Sequence, residues 1–497
     1  MFFDADFWLP LAIMAPLTTA LLLFLLPRRS GLATIVGAVT TIAIVGMTTL
    51  LVVQTGPVRH TVGGWGAPLG IDLTADGLTA LMLALTAVVG AAITLYAHGY
   101  FTHPTHDEAA RARYANFWPL WFFLWAALNG LFLSGDVFNL YVTLELVSFA
   151  AVALTALAGK PAVLAAAMRY LLVGLLGSLF YLMGVVFLYG DFGVLDIAQL
   201  GAVVAATPAL AGAAALITVG LAMKTALFPL HFWLPPAHAN ATAPVSALLS
   251  ALVIKGSFYI LLRFWLGVLY PLGETIAPYL LMALGAAALL WGSLQAIRQT
   301  RLKLLVAYST VAQIGYLFLL MPLLLAERNN LIALAGVVCF MLAHASAKAS
   351  AFLSAGAIQL AIGDDRLTSL RGLMQVMPAP VATFAMASVS LVALPPSGGF
   401  VAKWFMLDAT LASGYWTVAL VIIAGGLMAA VYIMRVLAPL FRQVEMGEER
   451  HDVTHVPLSM NLSAFGLALL AILLSFTGVY VLEILAIGAP WVMEAGL

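Results

Sequence analysis

The most regular feature of the chain is a series of apolar stretches about 20 residues long, separated by short polar connections. At a rise of about 1.5 Å per residue, each stretch is long enough to cross a bilayer core of about 30 Å as an α-helix. The strands of an outer-membrane barrel would instead alternate in polarity, so a β-barrel is excluded. The pattern predicts an all-α polytopic membrane protein with about fourteen transmembrane helices. They lie near residues 7–27, 31–53, 73–97, 115–134, 137–158, 162–189, 207–230, 242–269, 276–297, 303–324, 330–361, 379–410, 414–441 and 458–486.

Composition agrees with this class, since 64% of the residues are hydrophobic and only 8% are charged. The connections are all shorter than about 20 residues, too short for an independent domain, so residues 1–497 are expected to form one membrane domain. The single cysteine, Cys339, lies in an apolar stretch and cannot form an iron–sulfur or CxxC site alone. No phosphate loop or dinucleotide fingerprint is found. We therefore expect no cofactor, no metal, no redox chemistry of its own and no nucleic-acid partner.

The 21 Lys and Arg residues are unevenly distributed when the spans are numbered alternately. Thirteen lie in connections after odd-numbered spans, counted with the first turns of the following span: Arg28, Arg29, Arg111, Arg113, Lys160, Arg169, Arg298, Arg301, Lys303, Arg366, Arg371, Arg442 and Arg450. Two lie on the opposite side, Arg59 and Arg328. By the positive-inside rule, both termini are predicted to be non-cytoplasmic in a prokaryotic-type cytoplasmic (inner) membrane. The remaining six lie within spans: Lys224, Lys255, Arg263, Lys348, Lys403 and Arg435.

Two spans are interrupted by helix-breaking residues. These are Pro229, Pro235 and Pro236 in the seventh span and its continuation, and Pro395, Pro396, Gly398 and Gly399 in the twelfth. Proline removes a backbone donor and glycine permits unusual dihedral angles, so both helices are expected to be discontinuous. Lys224 lies five residues before the first break and Lys403 seven after Pro396. Freed backbone groups beside an ionisable side chain can hold water or an ion within the membrane.

The two interrupted spans are five spans apart, which predicts two repeats. The first comprises spans four to eight, residues 115–269, and the second comprises spans nine to thirteen, residues 276–441. An odd number of spans in each repeat requires that the two be inverted relative to each other. Residues 458–486 then form a C-terminal transmembrane helix.

Five motifs carry a resemblance to a known family: DVFNLYVTLEL (136–146), LAMKTALFPLHFWLPPAH (221–238), APVSALLSALVIKG (243–256), LLVAYSTVAQIGY (304–316) and LPPSGGFVAKW (394–404). They resemble the proton-conducting antiporter family. It comprises the large subunits of Mrp-type sodium/proton antiporters, the antiporter-like subunits of respiratory complex I and counterparts in membrane-bound hydrogenases. The resemblance covers nearly the whole chain, whose length looks most like that of the D subunit of the Mrp type or of the compact quinone-reductase subunits.

The resemblance implies a series of buried ionisable residues along the membrane plane. Glu145 matches the family glutamate that pairs with the lysine of the seventh span, here Lys224. Lys255 matches the central relay lysine and Lys403 the terminal one. Four intramembrane charges at roughly 3 kcal/mol each would total on the order of 10 kcal/mol, which is too much for packing alone. The alternative for Glu145 and Lys224 is a static buried salt bridge.

Four further residues complete the predicted relay. His344 and Lys348 are four residues apart, so they share one face of the eleventh span and are placed to pass protons between the central and terminal lysines. A packing histidine is the alternative. His231 and His238 flank the broken seventh helix and are candidates for the proton inlet, with loop capping as the alternative.

The sequence therefore predicts a proton-translocating subunit of a hetero-oligomeric membrane complex, most like an Mrp-type sodium/proton antiporter. Protons would pass from Lys224 and Lys255 by His344 and Lys348 to Lys403. Two alternatives stay open: a proton-pumping subunit of a complex I-like oxidoreductase or membrane-bound hydrogenase, and the proton channel of an inorganic-carbon uptake complex. Whether sodium passes through this chain also stays open, because no clear acidic oxygen cage is present.

Overall fold

The computed structural model describes residues 5–26, 30–326, 330–443 and 453–488. The helices of the first third are α1 (Trp8–Leu25), α2 (Ser30–Thr55), α3 (Gly77–Phe101), α4 (Glu108–Tyr114), α5 (Phe117–Leu133), α6 (Val137–Ala156) and α7 (Pro161–Phe192). The middle third contains α8 (Ile197–Val203), α9 (Pro208–Thr225), α10 (Leu234–Asn240), α11 (Ala243–Leu248), α12 (Ile254–Gly267), α13 (Ile276–Arg298), α14 (Leu302–Leu319) and α15 (Met321–Ala326). The last third contains α16 (Leu331–Ile362), α17 (Leu373–Val376), α18 (Pro378–Val392), α19 (Gly398–Ala412), α20 (Trp416–Phe441), α21 (Leu458–Leu473) and α22 (Gly478–Leu485).

Thirteen helical segments within these ranges are long and apolar enough to cross a membrane. The predicted twelfth span is divided between α18 and α19, each 15 residues long. The prediction of an all-α polytopic membrane protein is confirmed. Four of the basic residues used for the topology prediction, Arg28, Arg29, Arg328 and Arg450, lie outside the described residues.

A small β-hairpin before α3 was not predicted. Strands β1 (Val58–Thr61) and β2 (Asp72–Ala75) pair antiparallel, with Val58 opposite Ala75. The predicted third span at 73–97 therefore begins too early, because β2 and the helix cap occupy its first residues. Asp76 caps α3 by accepting a hydrogen bond from Thr79 N at 2.9 Å. We use "hairpin end" for this end of the helix bundle and "basic end" for the opposite end, where Arg301 lies.

Both predicted helix breaks are confirmed, and the two helices end in the same way. α9 ends before Ala226 and α18 before Ala393, and both alanines are left-handed, with φ values of 60° and 72°. In each case the next residue's N–H bonds to a carbonyl five residues back, at 3.0 Å and 2.9 Å. An L-residue in this conformation is disfavoured by roughly 1–2 kcal/mol, so tertiary packing must hold both turns. Ser397 then caps α19, and at Gly399 a side chain would collide with the Ser390 carbonyl.

The halves of the chain share a second feature. α7 and α16 are both 32 residues long and end at a glycine with φ of 72°. A backbone bridge then joins the residue four positions beyond each helix to the residue that precedes another span: Asp196 pairs with Asp136 at the hairpin end, and Arg366 pairs with Arg301 at the basic end. The inverted repeat stays a prediction. The matching bridges at opposite ends of the bundle agree with it.

Three spans differ from the continuous helices expected, and in the tenth a turn at Leu320 separates α14 from α15. The eighth contains a π-helical turn, Leu249–Val253, between α11 and α12. The last is divided, because α21 passes through a short 3₁₀ turn and α22 begins after Thr477. The π turn matters for the site, because Lys255 follows it by two residues.

Candidate functional site

The first buried pair joins α6 and α9. Lys224 Nζ donates to Glu145 Oε1 at 3.1 Å and to Ser148 Oγ at 2.6 Å. Ser178 of α7 donates to the same carboxylate oxygen. The side chains of Lys224 and Glu145 are only 5% and 12% exposed, so their charges compensate each other with little help from solvent.

Local sequence explains why the lysine reaches the carboxylate. Lys224 is in the last turn of α9, where the carbonyl end of the helix dipole favours a cation. α9 packs closely on α7 because Gly220 and Gly177 face each other, and a Cβ at Gly220 would collide with the Gly177 carbonyl oxygen. A Cβ at Gly177 would in turn lie 2.8 Å from the Gly220 carbonyl oxygen, so a side chain at either glycine would push the two helices apart.

The second pair joins α12 and α16. Lys255 Nζ lies 2.8 Å from His344 Nδ1 and also donates to the Ser250 carbonyl in the π turn. Lys255 is fully buried and His344 is 3% exposed. His344 Nε2 has no hydrogen-bond partner within the described residues. One ring nitrogen therefore meets the amine while the other remains available to another proton carrier.

Lys348 lies one turn along α16 from the histidine. It is fully buried, and its Nζ donates to the Val306 carbonyl at 3.0 Å and to Ser309 Oγ, both on α14. No carboxylate pairs with it within the described part of the chain. Burial without a counter-charge favours the neutral form of an amine, which is able to accept a proton.

Lys403 lies on α19 beside the second helix break. Its Nζ is 4.3 Å from the centre of the Tyr316 ring and, among the described residues, has no hydrogen-bond partner. The ring face attracts a cation electrostatically without accepting its proton. A cavity of about 160 Å³ adjoins the lysine and reaches Ala393 at the break.

The two inlet histidines lie between α9 and α11. His238 is fully buried, stacks on Phe352 at 4.7 Å, and neither ring nitrogen has a partner within the described residues. Its side chain therefore caps no loop in this part of the chain. His231 stacks on Phe228 at 5.6 Å, and its Nδ1 is also unpaired among the described residues. Buried ring nitrogens of this kind are ordinarily satisfied by water.

Sequence reasoning missed Lys303, which it assigned to a connection. The lysine is 3% exposed, and its Nζ donates to the Ala241 carbonyl at 2.5 Å, at the basic end near His238. The remaining in-span cations are of a different kind. Arg263 is held in a bidentate pair with Asp76, at 2.5 Å for both contacts, and Arg435 is exposed on α20. Neither arginine reaches the lysine series.

A bundle of membrane-spanning helices with two interrupted spans and buried lysines on α9, α12, α16 and α19 defines an antiporter-like membrane subunit. Residues 134–429 match the family model described as "NADH:quinone oxidoreductase/Mrp antiporter, TM", and the chain belongs to this family. The resemblance seen in the motifs is thereby confirmed.

Individual relatives come from both branches of the family. The chain is 37% identical over 389 residues to the N subunit of the NADH-quinone oxidoreductase of Desulforudis audaxviator, covering 77% of this chain and 75% of the relative. It is 28% identical over 447 residues to the D subunit of the Na(+)/H(+) antiporter of Alkalihalophilus pseudofirmus, covering 89% and 87%. Among solved structures, it matches a chain of the Mrp complex from Dietzia sp. DQ12-45-1b with a TM-score of 0.88 and 25% identity, over 99% of both chains.

Proposed function

We propose that this chain is the proton-translocating subunit of a hetero-oligomeric Mrp-type sodium/proton antiporter in a prokaryotic cytoplasmic membrane. The observation that carries the proposal is the contact of Lys255 Nζ with His344 Nδ1 at 2.8 Å, both fully or nearly fully buried. A buried amine against an imidazole has no packing role that an apolar pair would not fill better, whereas the two groups can exchange a proton. The near-complete overlap with a chain of a solved Mrp complex supports the parent assembly.

The proposed route starts at the basic end, with His231 and His238 as the inlet. A proton reaching Lys224 is held while Glu145 is paired with it at 3.1 Å, and it is released toward Lys255 when the pair separates. The carboxylate therefore sets the proton affinity of the lysine.

The second part of the route crosses to the other half of the chain. Lys255 passes the proton to His344 Nδ1. Lys348, on α16 like the histidine, then accepts a proton that leaves the ring from His344 Nε2, which has no hydrogen-bond partner among the described residues. Lys403, above the ring of Tyr316, is the last carrier before the hairpin end. Every carrier on the proposed route is an amino-acid side chain, so the route requires no redox group in this chain.

The positions of the two helix breaks support a route across the membrane. The break at Ala226 is 18 residues from the hairpin-end start of α9, about 27 Å along the helix. The break at Ala393 is 15 residues from the basic-end start of α18, about 22 Å. The two openings therefore lie in opposite halves of the membrane. With the basic end cytoplasmic, as the positive-inside rule requires, both termini are on the outer side.

A second candidate, a proton-pumping subunit of a complex I-like oxidoreductase, is favoured by the 37% identity to an N subunit of such an enzyme. Purification of the intact complex in mild detergent, with mass identification of its subunits, separates the two. Small hydrophobic partners and sodium-driven proton flux in proteoliposomes, abolished by Lys255→Ala, are the expected result. Iron–sulfur or nickel subunits with quinone-dependent pumping would replace the antiporter proposal by a redox pump, and a zinc-binding subunit would replace it by a carbon-uptake complex.

A further inference from the structure

An apolar groove lies at the basic end, outside the lysine series. It is formed by the end of α1, the start of α5 and the end of α6, and its volume is about 740 Å³. Leu21 and Phe24 of α1 line it and are 56% and 71% exposed on the outer surface of the bundle. In a membrane this surface faces lipid or a neighbouring subunit.

The length of the groove distinguishes these two occupants. Its lining extends from Leu17 to Phe24, about 10 Å along α1, which ends at Leu25. On α5 it extends from Asn116 to Phe123, again about 10 Å from the basic end. One leaflet of the hydrocarbon core is about 15 Å deep, half of about 30 Å. The groove is therefore confined to a single leaflet, whereas a partner's transmembrane helix would need a track along both.

The mouth of the groove is polar and positively charged. Arg113 of α4 and Asn116 are the hydrogen-bonding side chains among its lining residues, and no acidic side chain lines it. Within the described residues, Arg113 belongs to no ion pair. Gly159, whose positive φ of 71° favours glycine, lies beside the arginine stem, since a Cβ there would be in van der Waals contact with Arg113 Cδ at 3.4 Å.

We propose that this groove binds one anionic phospholipid from the leaflet at the basic end. The phosphate is held by the Arg113 guanidinium and the Asn116 amide, and an acyl chain lies against α1 and α5. A guanidinium matches phosphate oxygens in a two-bond geometry, and its stem follows apolar surface while its head stays at the interface. The unpaired positive charge favours a headgroup with net negative charge over a zwitterionic one.

The test counts lipids retained by the intact complex. The complex is purified in mild detergent, incubated with phosphatidylglycerol or with phosphatidylcholine of the same acyl chains, and analysed by native mass spectrometry. Wild type should retain one phosphatidylglycerol per chain. Arg113→Gln should lower this retention about five- to ten-fold. Arg371→Gln, at an exposed arginine of the basic end that does not line the groove, should leave it unchanged.

Two further variants separate the charge from the groove. Ala153→Trp fills the apolar part with Arg113 intact and should lower retention at least as much as Arg113→Gln does. Arg113→Lys keeps the charge and should preserve most of the retention. Equal retention in Arg113→Gln and Arg371→Gln would overturn the proposal, as would equal binding of phosphatidylcholine. So would a cross-link from Leu21→Cys to a co-purifying subunit, because the groove would then be a protein interface.

Discussion

Replacing Glu145 by glutamine tests whether the first buried pair controls the proton on Lys224. The substitution keeps the side-chain volume and removes the negative charge 3.1 Å from Nζ. With an effective dielectric constant of about 20, the lost attraction is about 5 kcal/mol. At about 1.4 kcal/mol per factor of ten, the protonated form of Lys224 would lose three to four orders of magnitude in relative population. The hydrogen bond to Ser148 remains and offsets only a small part of this.

We therefore expect Glu145→Gln to lower proton transport at least ten-fold. The assay uses the intact complex in proteoliposomes, with a pH-sensitive dye inside and a sodium gradient as the driving force. Ser178→Ala is the matched control, because it removes a hydrogen bond to the same carboxylate oxygen and leaves the charge in place. A loss of about 1 kcal/mol, or at most about five-fold in transport, is expected for the control.

The result that refutes the reasoning is specific. If the pair were only a static salt bridge, its loss in Glu145→Gln would lower the stability or the yield of the complex and leave the transport rate of the assembled fraction unchanged. Normal assembly with wild-type transport in Glu145→Gln would show that the pair does not set the proton affinity of Lys224.

Three further substitutions test other parts of the site. Lys403→Arg keeps a cation over the Tyr316 ring, but a guanidinium cannot readily release its proton. Proton transport should therefore fall at least ten-fold with an unchanged melting temperature, and transport above half the wild-type rate would contradict this. His344→Phe removes the nitrogen beside Lys255 and keeps an aromatic ring; sodium-driven flux should be lost, and flux that persists would place the crossing elsewhere. Arg263→Leu leaves the largely buried Asp76 carboxylate without a counter-charge and should destabilise the complex by about 3 kcal/mol, seen as a lower melting temperature in detergent. An unchanged melting temperature would contradict this expectation.

The sequence predicted the spans and the two breaks because both depend on local composition. Continuous apolar runs and the prolines near 229 and 395 act wherever they occur in a membrane helix. The hairpin was missed because its strands are four residues long, well below the length over which transmembrane hydropathy is averaged.

Other parts of the site depend on tertiary contacts. The π turn before Lys255 contains ordinary helix-forming residues, so nothing in its composition distinguishes it. Lys303 was assigned to a connection by its position at the start of a span. In the structure its side chain is buried, because its Nζ donates to the carbonyl of Ala241, which lies 62 residues earlier in the sequence. The pairings of Lys255 with His344 and of Lys403 with Tyr316 likewise join residues far apart in sequence.

The two backbone bridges at opposite ends of the bundle have a consequence for membrane insertion during biosynthesis. The same kind of backbone bridge pairs Asp136 with Asp196 at one end and Arg301 with Arg366 at the other. Basic residues resist translocation whereas acidic residues have little influence on it. The same turn can therefore be made on either face of the membrane by exchanging its charged side chains. The predicted inversion of the two halves would then need only this exchange of charge at the turn, with the backbone pairing unchanged.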